Sequence, residues 1–247
     1  MQSDAHNGSA ATLVDSVTTR LRTLILSGAY QPGQRLTEAS LAEEMSVSRT
    51  PVVASLKALT EQGLVRYAPN RGYWVREFTI DEVLNAYELR ATLEGLGCRL
   101  AAERGLSGQD IDTLERCIAV GDDVLSGPQL RSEDHERYQA MNVEFHTVIL
   151  RASGNGLLGD FVRKSHELPL ASNRVVFWRS MDIVRRSHDA HVRVLDALKQ
   201  RQGTRAEMLM REHVYESGQV LRRHWDEITE AARQGATAVS RVIGDSL

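Results

Sequence analysis

The chain has 247 residues, enough for two domains with ordinary cores, and its composition, 42% apolar and 26% charged, excludes an intrinsically disordered protein. No apolar run approaches the roughly 18 residues that span a bilayer, and the N-terminus lacks the basic and apolar regions of a signal peptide. We therefore expect a cytoplasmic protein without membrane association. Few prolines and aromatics, with many Ala, Leu, Arg and Glu, favour a mainly α fold.

The formal net charge of −3 is divided unevenly along the chain. Residues 1–76 contain eight Lys/Arg and six Asp/Glu, whereas residues 77–247 contain 22 Lys/Arg and 27 Asp/Glu. The positive segment is the one suited to contact with phosphates. Because its excess of positive charge is small, strong binding to nucleic acid is expected to need two copies of the chain.

Residues 1–11 are small and polar, and we expect a disordered tail there. A first helix follows, with apolar residues at helical spacing up to Leu26. Two short helical patterns come next, joined by a tight polar turn at residues 45–48. In the first, Leu41, Ala42 and Met45 share one face. The second begins at Ser48, whose hydroxyl can cap it, and ends at Gly63.

Ser48, Arg49 and Thr50 lie at the N-terminal end of this second helix. There a guanidinium, short hydroxyls and free backbone amides can reach phosphate oxygens and base edges. Two strand patterns follow, around a turn at residues 68–72 that places Arg71 at its tip. This order predicts a winged helix-turn-helix with a small β-hairpin wing over residues 12–76. The local pattern alone also fits a helical hairpin with no ligand.

Beyond a linker at residues 77–80, the pattern changes to helices only, which predicts an all-α bundle of about six or seven helices over residues 81–233. Leu84, Leu89, Leu93, Leu96 and Leu100 are expected to form the buried stripe of its first helix. Later helices are expected at 107–125, 133–152, 156–165, 172–178, 183–201 and 204–233. The tail at 234–247 is unassigned. Cys98 and Cys117 lie within helical patterns and are expected to be buried, reduced thiols.

Histidines on three separate helices of the bundle are candidates for a metal site. Asn142 and His146 are four residues apart and share a face of one helix, while His191 and His213 lie on two later helices. Three imidazoles and one oxygen ligand suit a divalent transition metal. Spacing alone does not separate this interpretation from histidines that are simply part of the core.

Residues 12–76 resemble the DNA-binding domain of GntR-family transcriptional regulators. The matching segments are Tyr30–Leu36, Leu41–Ala42, Ser48–Val52, Gly63–Val65 and Arg71–Tyr73. The resemblance implies that Arg35, Arg49 and Gly72 lie at or near DNA. In one respect the sequence departs from the family, because Val53 stands where an arginine is usual, so a different operator preference or weaker binding is expected.

Residues from about 81 to 225 resemble the FCD effector domain of one branch of that family. The matching segments are Glu88–Glu94, Phe145–His146, Ala152–Asn155, His191–Leu198 and Met210–His213. The resemblance implies that Asn142, His146, His191 and His213 bind a divalent metal, most often zinc, with nickel or manganese as alternatives. It also implies a small carboxylate effector beside the metal. Asn142 replaces the commoner Asp, so the site is expected to bind its metal less tightly or to need an anionic effector to complete the charge balance.

Two further residues are candidates for the effector cavity, and each has an alternative interpretation. Arg90 can pair with an effector carboxylate or with Glu94 on its own helix. Trp178 can wall the cavity or belong to the core.

The sequence thus favours a homodimeric, effector-controlled regulator, a repressor by preference, that reads a pseudo-palindromic DNA operator. The alternative is a metal-dependent hydrolase at the three-histidine site, for which Glu144, Asp189 and Glu212 are the nearby acids. No catalytic motif supports that alternative.

Overall fold

The computed structural model describes residues 4–26, 29–166, 170–171 and 175–234. These residues form two compact units, one reaching to Phe78 and the other running mainly from Thr79 to Ala231. No helix within the described ranges is both long enough and apolar enough to cross a membrane.

The first unit has the predicted winged helix-turn-helix architecture. Its elements are α1 (Asp4–Leu26), β1 (Arg35–Leu36), α2 (Glu38–Glu44), α3 (Arg49–Glu61), β2 (Val65–Ala68) and β3 (Gly72–Val75). Helix α1 begins well before the predicted start, so residues 4–11, which were expected to belong to a disordered tail, are helical. The strands form one antiparallel sheet in the order β1-β3-β2. Strand β1 was not predicted, because two residues carry no periodicity.

The apolar core of this unit fixes α3 by packing its buried face against α1. Leu21 of α1 and Val52, Leu56 and Leu59 of α3 have no exposed surface. Gly63, at a φ of +74°, ends α3 in a backbone conformation that favours glycine. Ser48 occupies the N-cap position, but its hydroxyl makes no capping hydrogen bond, so that prediction was wrong. The backbone amides at the start of α3 are therefore left without that partner.

The second unit is the predicted helical bundle, with seven α-helices in its described part. They are α4 (Ile80–Arg104), α5 (Gly108–Val124), α6 (His135–Ala152), α7 (Gly156–Ser165), α8 (Met181–Lys199), α9 (Gly203–Arg223) and α10 (Trp225–Gln234). A single turn of 3-10 helix, Ser132–Asp134, precedes α6. The long helix predicted at 204–233 is two helices, separated at His224. Cys98 and Cys117 are buried free thiols, as predicted.

The structure does not confirm the predicted helix at 172–178, and it describes little of the tail at 234–247. No helix covers Val175–Trp178, and residues 172–174 of that predicted helix lie outside the described residues. Most of the tail, residues 235–247, also lies outside them. The irregular segment at 175–178 instead contributes Val175, Val176 and Phe177 to a cavity wall.

The predicted buried stripe of α4 was wrong. Leu89 is 51% exposed, and Leu84, Leu93, Leu96 and Leu100 are only half-buried. The face that packs into the bundle instead carries Val83, Tyr87, Arg90, Glu94 and Cys98. Helix α9 packs closely on this face, because Gly218 leaves room for the ring of Tyr87: a Cβ there would lie 3.0 Å from it. The bundle thus turns two charged residues inward and several leucines outward.

A capping box starts α4 and provides a test of how that helix is anchored. The Thr79 hydroxyl accepts a hydrogen bond from the amide of Glu82, whose carboxylate accepts one from the amide of Thr79. We expect Thr79→Ala to lower the free energy of unfolding by about 1 kcal/mol, measured by urea denaturation. Thr92→Ala, at an exposed interior position of the same helix, is the control and should cost nothing. Equal stabilities of the two variants would contradict the role of this cap.

Candidate metal and DNA-contact sites

Three imidazoles on three helices converge inside the bundle. The Nε2 atom of His213 on α9 lies 3.1 Å from Nε2 of His191 on α8 and 3.3 Å from Nε2 of His146 on α6. All three potential ligand atoms lie within 4.8 Å of one another. The side chains are 7% exposed or less. The structure therefore brings together the three histidines that the sequence proposed.

Packing of apolar neighbours fixes these rings. The ring of His191 lies against Phe145, with centroids 4.5 Å apart, and meets His146 edge-on. His213 is flanked on α9 by the buried Met210 and Val214. Each histidine thus belongs to the buried face of its helix, and the fold directs the three rings to one point.

Burial favours neutral imidazoles at His191 and His213. Burial, reinforced by the neighbouring His146, lowers the pKa of His213 to about 3. Burial and the neighbouring histidines also hold the pKa of His191 well below its usual range. A neutral imidazole has one nitrogen with a free lone pair. When three ring nitrogens face one another, hydrogen bonds among them cannot pair all of these lone pairs.

The donor set fits a divalent transition metal. Two metal–nitrogen bonds of about 2.0–2.1 Å at tetrahedral or octahedral angles separate their nitrogens by about 2.9–3.4 Å. The separations of 3.1 and 3.3 Å match this range. Asn142, one turn before His146 on α6, is buried and lines the same cavity as His146 and His213. Its role as the fourth ligand, which the family resemblance implies, stays a prediction.

Glu94 on α4 is a further member of the site that the sequence analysis considered only as a partner for Arg90. Its Oε2 atom lies 2.5 Å from Nδ1 of His146, and its Oε1 atom accepts a hydrogen bond of 2.8 Å from Nε of Arg90. Burial alone would raise the pKa of Glu94, but Arg90 and His146 outweigh it and hold that pKa below its usual range. Glu94 is thus an ionised carboxylate inside the bundle.

A cavity of about 660 Å³ opens beside the histidines. Its wall combines apolar side chains, including Phe177 and Leu209, with charged ones that include Arg90, Arg186 and Arg193. Arg90 lines the cavity and pairs with Glu94, so its pairing within the helix is confirmed, whereas its contact with an effector stays a prediction. Such a mixed wall suits a small ligand with an anionic group and an apolar body.

Trp178, the second candidate for the cavity wall, makes its contacts with other residues. Its indole donates a hydrogen bond to the carbonyl of Arg131 and packs against His135 and Tyr138. It is not among the described residues that line the cavity, whereas its neighbour Phe177 is.

In the first unit, the residues proposed for DNA contact form an exposed polar surface. Ser48, Arg49 and Thr50 are exposed at the start of α3, and Val53 is half-buried one turn later. At the wing, Arg71 is exposed at the tip, next to Gly72 with a φ of +97°. These positions are those that a winged helix presents to a DNA groove.

The wing sheet adds a residue that the sequence analysis did not identify. Arg35 on β1 and Arg66 on β2 are both cross-strand partners of Trp74 on β3, so the three side chains lie in a row on one face of the sheet. The Arg66 guanidinium lies over the indole, 5.6 Å from its centre. Only the strand register reveals this row, because the three residues are far apart in sequence.

Fold and site together define a DNA-binding regulator with a separate ligand-binding domain. Residues 13–75 match the gntR family of bacterial regulatory proteins, and residues 85–216 match the FCD domain. The chain belongs to the GntR family of transcriptional regulators, in the branch that carries an FCD domain. GntR domains bind DNA, FCD domains bind small-molecule effectors, and many FCD domains also bind a metal.

Curated relatives cover nearly the whole chain. The Nta operon transcriptional regulator of Aminobacter aminovorans is 28% identical over 220 residues, which cover 88% of this chain and 95% of the relative. The transcriptional repressor GlaR of Escherichia coli is 26% identical over 200 residues, covering 78% of this chain and 89% of the relative. The families and relatives that match are regulators rather than enzymes, and none supports the hydrolase alternative.

A solved structure has a similar fold. Escherichia coli McbR/YncC superposes with a TM-score of 0.62 over 86% of this chain and 98% of its own, at 22% sequence identity.

The depressed pKa values of His191 and His213 predict acid sensitivity of the metal-free protein. Below pH 6.5 the unfolded chain binds protons at these positions and the folded chain does not, so stability is lost as the pH falls. Between pH 6.5 and 4.5, we expect His213→Asn to reduce the fall in unfolding free energy by about 1 kcal/mol per pH unit. Urea denaturation of chelator-treated protein measures this slope. An unchanged slope would contradict the buried neutral state of His213.

Proposed function

We propose that the chain is a homodimeric transcriptional repressor whose operator binding is controlled by a small carboxylate effector. The effector binds next to a divalent transition metal in the helical domain, with zinc preferred over nickel or manganese. The protein acts in the cytoplasm, where its DNA partner is located. The observation that carries this proposal is the convergence of three buried imidazoles within an FCD domain, two of which, His146 and His213, line a cavity.

In this proposal Asn142, His146, His191 and His213 hold the ion. The bound ion supplies positive charge that attracts the effector carboxylate. Three neutral imidazoles and a neutral amide leave the charge of a divalent cation uncompensated among its direct ligands, and an anionic effector reduces that excess. The substitution of Asn for the commoner Asp therefore makes metal and effector binding mutually dependent.

The rest of the cavity provides orientation for the effector. Arg186 and Arg193 both line the wall, and their positive charge would attract an anionic ligand, although Nε of Arg193 also donates to the carbonyl of Asp189. Arg90 has Nε and Nη1 engaged with Glu94 and with the carbonyl of Ala171. Its main contribution to effector binding is the electrostatic attraction of its positive charge for an anionic group.

The winged helix is the operator reader in this proposal. Arg49, Ser48 and Thr50 enter the major groove, while Arg35, Arg71 and Gly72 approach the backbone or the minor groove. Val53 offers only an apolar contact, so we expect a thymine methyl or no contact at that position.

A dimer matches the twofold symmetry of a pseudo-palindromic operator. The outward face of α4 supports this state, because Leu89, Leu93, Leu96 and Leu100 form an apolar stripe that the monomer leaves partly exposed. A stripe of this kind is typical of protein–protein interfaces. The relative GlaR is a transcriptional repressor, which favours repression here. The effector shifts operator affinity only by as much as its own affinity differs between the two dimer states.

Arg49 provides a test of the recognition helix. We expect Arg49→Ala to weaken binding about fivefold or more to a duplex that the wild-type protein selects from a random library, since a guanidinium contact contributes about 1–3 kcal/mol. Fluorescence anisotropy across a salt titration measures the affinity. Arg116→Ala, an exposed arginine of α5, is the control and should bind like the parent. Unchanged affinity in a folded Arg49→Ala variant would show that α3 does not read DNA.

The metal and effector part of the proposal has a separate test. We expect zinc, nickel or manganese to raise the melting temperature, and one or more acids from a panel of small mono- and dicarboxylates to raise it further in the presence of metal. Both increases should be absent in a His146→Ala, His191→Ala double variant. They should persist in His188→Asn, which removes a histidine outside the cluster. Equal stabilisation of the double variant would place the ligand elsewhere.

A further inference from the structure

The contacts of Glu94 occupy both of its carboxylate oxygens. One oxygen meets Nδ1 of His146, and the other accepts from Nε of Arg90. Arg90 in turn donates from Nη1 to the carbonyl of Ala171, at 2.9 Å. The side chains of Arg90, Glu94 and His146 are 2–3% exposed, so solvent does not compete for these hydrogen bonds.

These contacts fix which nitrogen of His146 carries the proton. Arg90 can only donate, so the Glu94 carboxylate that pairs with it acts as an acceptor, and its contact with His146 places a proton on Nδ1 of that ring. With a single ring proton at Nδ1, the lone pair is on Nε2, the atom that faces His213.

Neither the tautomer nor the orientation of His191 is set in this way. Its Nδ1 atom is buried, and no polar group among the described residues contacts it. Packing on Phe145 positions that ring instead. Within the described residues, His146 is the histidine of the cluster whose ring contacts a carboxylate, that of Glu94.

We propose that Glu94 is a positioning residue for the metal site, acting through His146. This inference rests on the proposed metal-binding function. Glu94 holds the His146 ring with Nε2 unprotonated and directed at the ion, and its negative charge raises the basicity of that nitrogen. It also adds the anionic charge that Asn142 does not provide.

Arg90 has a complementary part in this arrangement. Its guanidinium engages the carboxylate oxygen of Glu94 that His146 does not contact. Because Arg90 also lines the cavity, the chain of contacts runs from the cavity wall through Glu94 to the ligand histidine. Two hydrogen bonds, Arg90 to Glu94 and Glu94 to His146, therefore connect an effector that contacts Arg90 to the proposed metal-binding ring.

A purely structural ion pair is the competing explanation, and the domain contains a second histidine–carboxylate pair, with a more exposed carboxylate, that serves as a control. Nε2 of His188 lies 2.9 Å from a carboxylate oxygen of Asp122, in a histidine–carboxylate pair outside the three-histidine cluster. Substitution of Asp122 removes such a pair without touching the proposed site.

The first experiment measures zinc affinity of the full chain by competition with a chromophoric chelator. We expect Glu94→Gln, whose amide cannot accept from Arg90 and His146 at the same time, to weaken zinc binding by about 10- to 100-fold. Asp122→Asn should change it less than about twofold. Equal affinities of Glu94→Gln and the parent would overturn this inference and leave the metal site intact. A parent that binds no zinc would overturn both.

A second measurement needs no substitution at Glu94 and covers the case in which that variant fails to fold. In metal-free parent protein with ¹⁵N-labelled histidine, long-range proton–nitrogen spectra distinguish the two neutral tautomers. The His146 signals are assigned by their loss in His146→Gln. We expect the proton on Nδ1 and an unprotonated Nε2. A His146 ring protonated on Nε2 in the metal-free protein would overturn the inference.

Discussion

The burial of a charged pair beside three imidazoles is the constraint on which the helical domain depends. Ions inside a bundle are costly unless each is paired and hydrogen-bonded. Arg90 and Glu94 compensate each other in charge, and the resolved contacts of Glu94 engage both carboxylate oxygens. Burial keeps His191 and His213 neutral. The cluster is thus polar, ordered and close to electrically neutral, with its lone pairs directed at one point.

This constraint also accounts for the orientation of α4. The helix carries two stripes, one of leucines and one that combines small or apolar residues with Arg90 and Glu94. The bundle takes in the second stripe, because only that face supplies the partners of His146 and of the Ala171 carbonyl. The leucines, among them Leu89 at 51% exposure, are left at the surface for another contact. One helix therefore serves both the interior site and the outer face.

The two units divide the work of a regulator. The first presents short polar side chains and arginines on a rigid helix–sheet scaffold, with a compact apolar core beneath α3. The second encloses a cavity beside three convergent imidazoles in a helical interior. If an effector controls DNA binding as proposed, the change in DNA affinity is set by the difference in its binding free energy between two states of the protein.

The sequence by itself determined the class of fold, the family and the identity of the three converging histidines. Apolar periodicity, capping residues and glycine positions are local properties, and they located most helices to within a few residues. The tertiary structure alone decided which face of α4 is buried, that Glu94 supports His146, that Trp178 lies away from the cavity, and that Arg35, Trp74 and Arg66 form one row. Each of these depends on contacts between residues distant in sequence. Hydrophobicity alone predicts that leucine is buried in preference to arginine, and it takes no account of the tertiary partners that make a buried arginine stable.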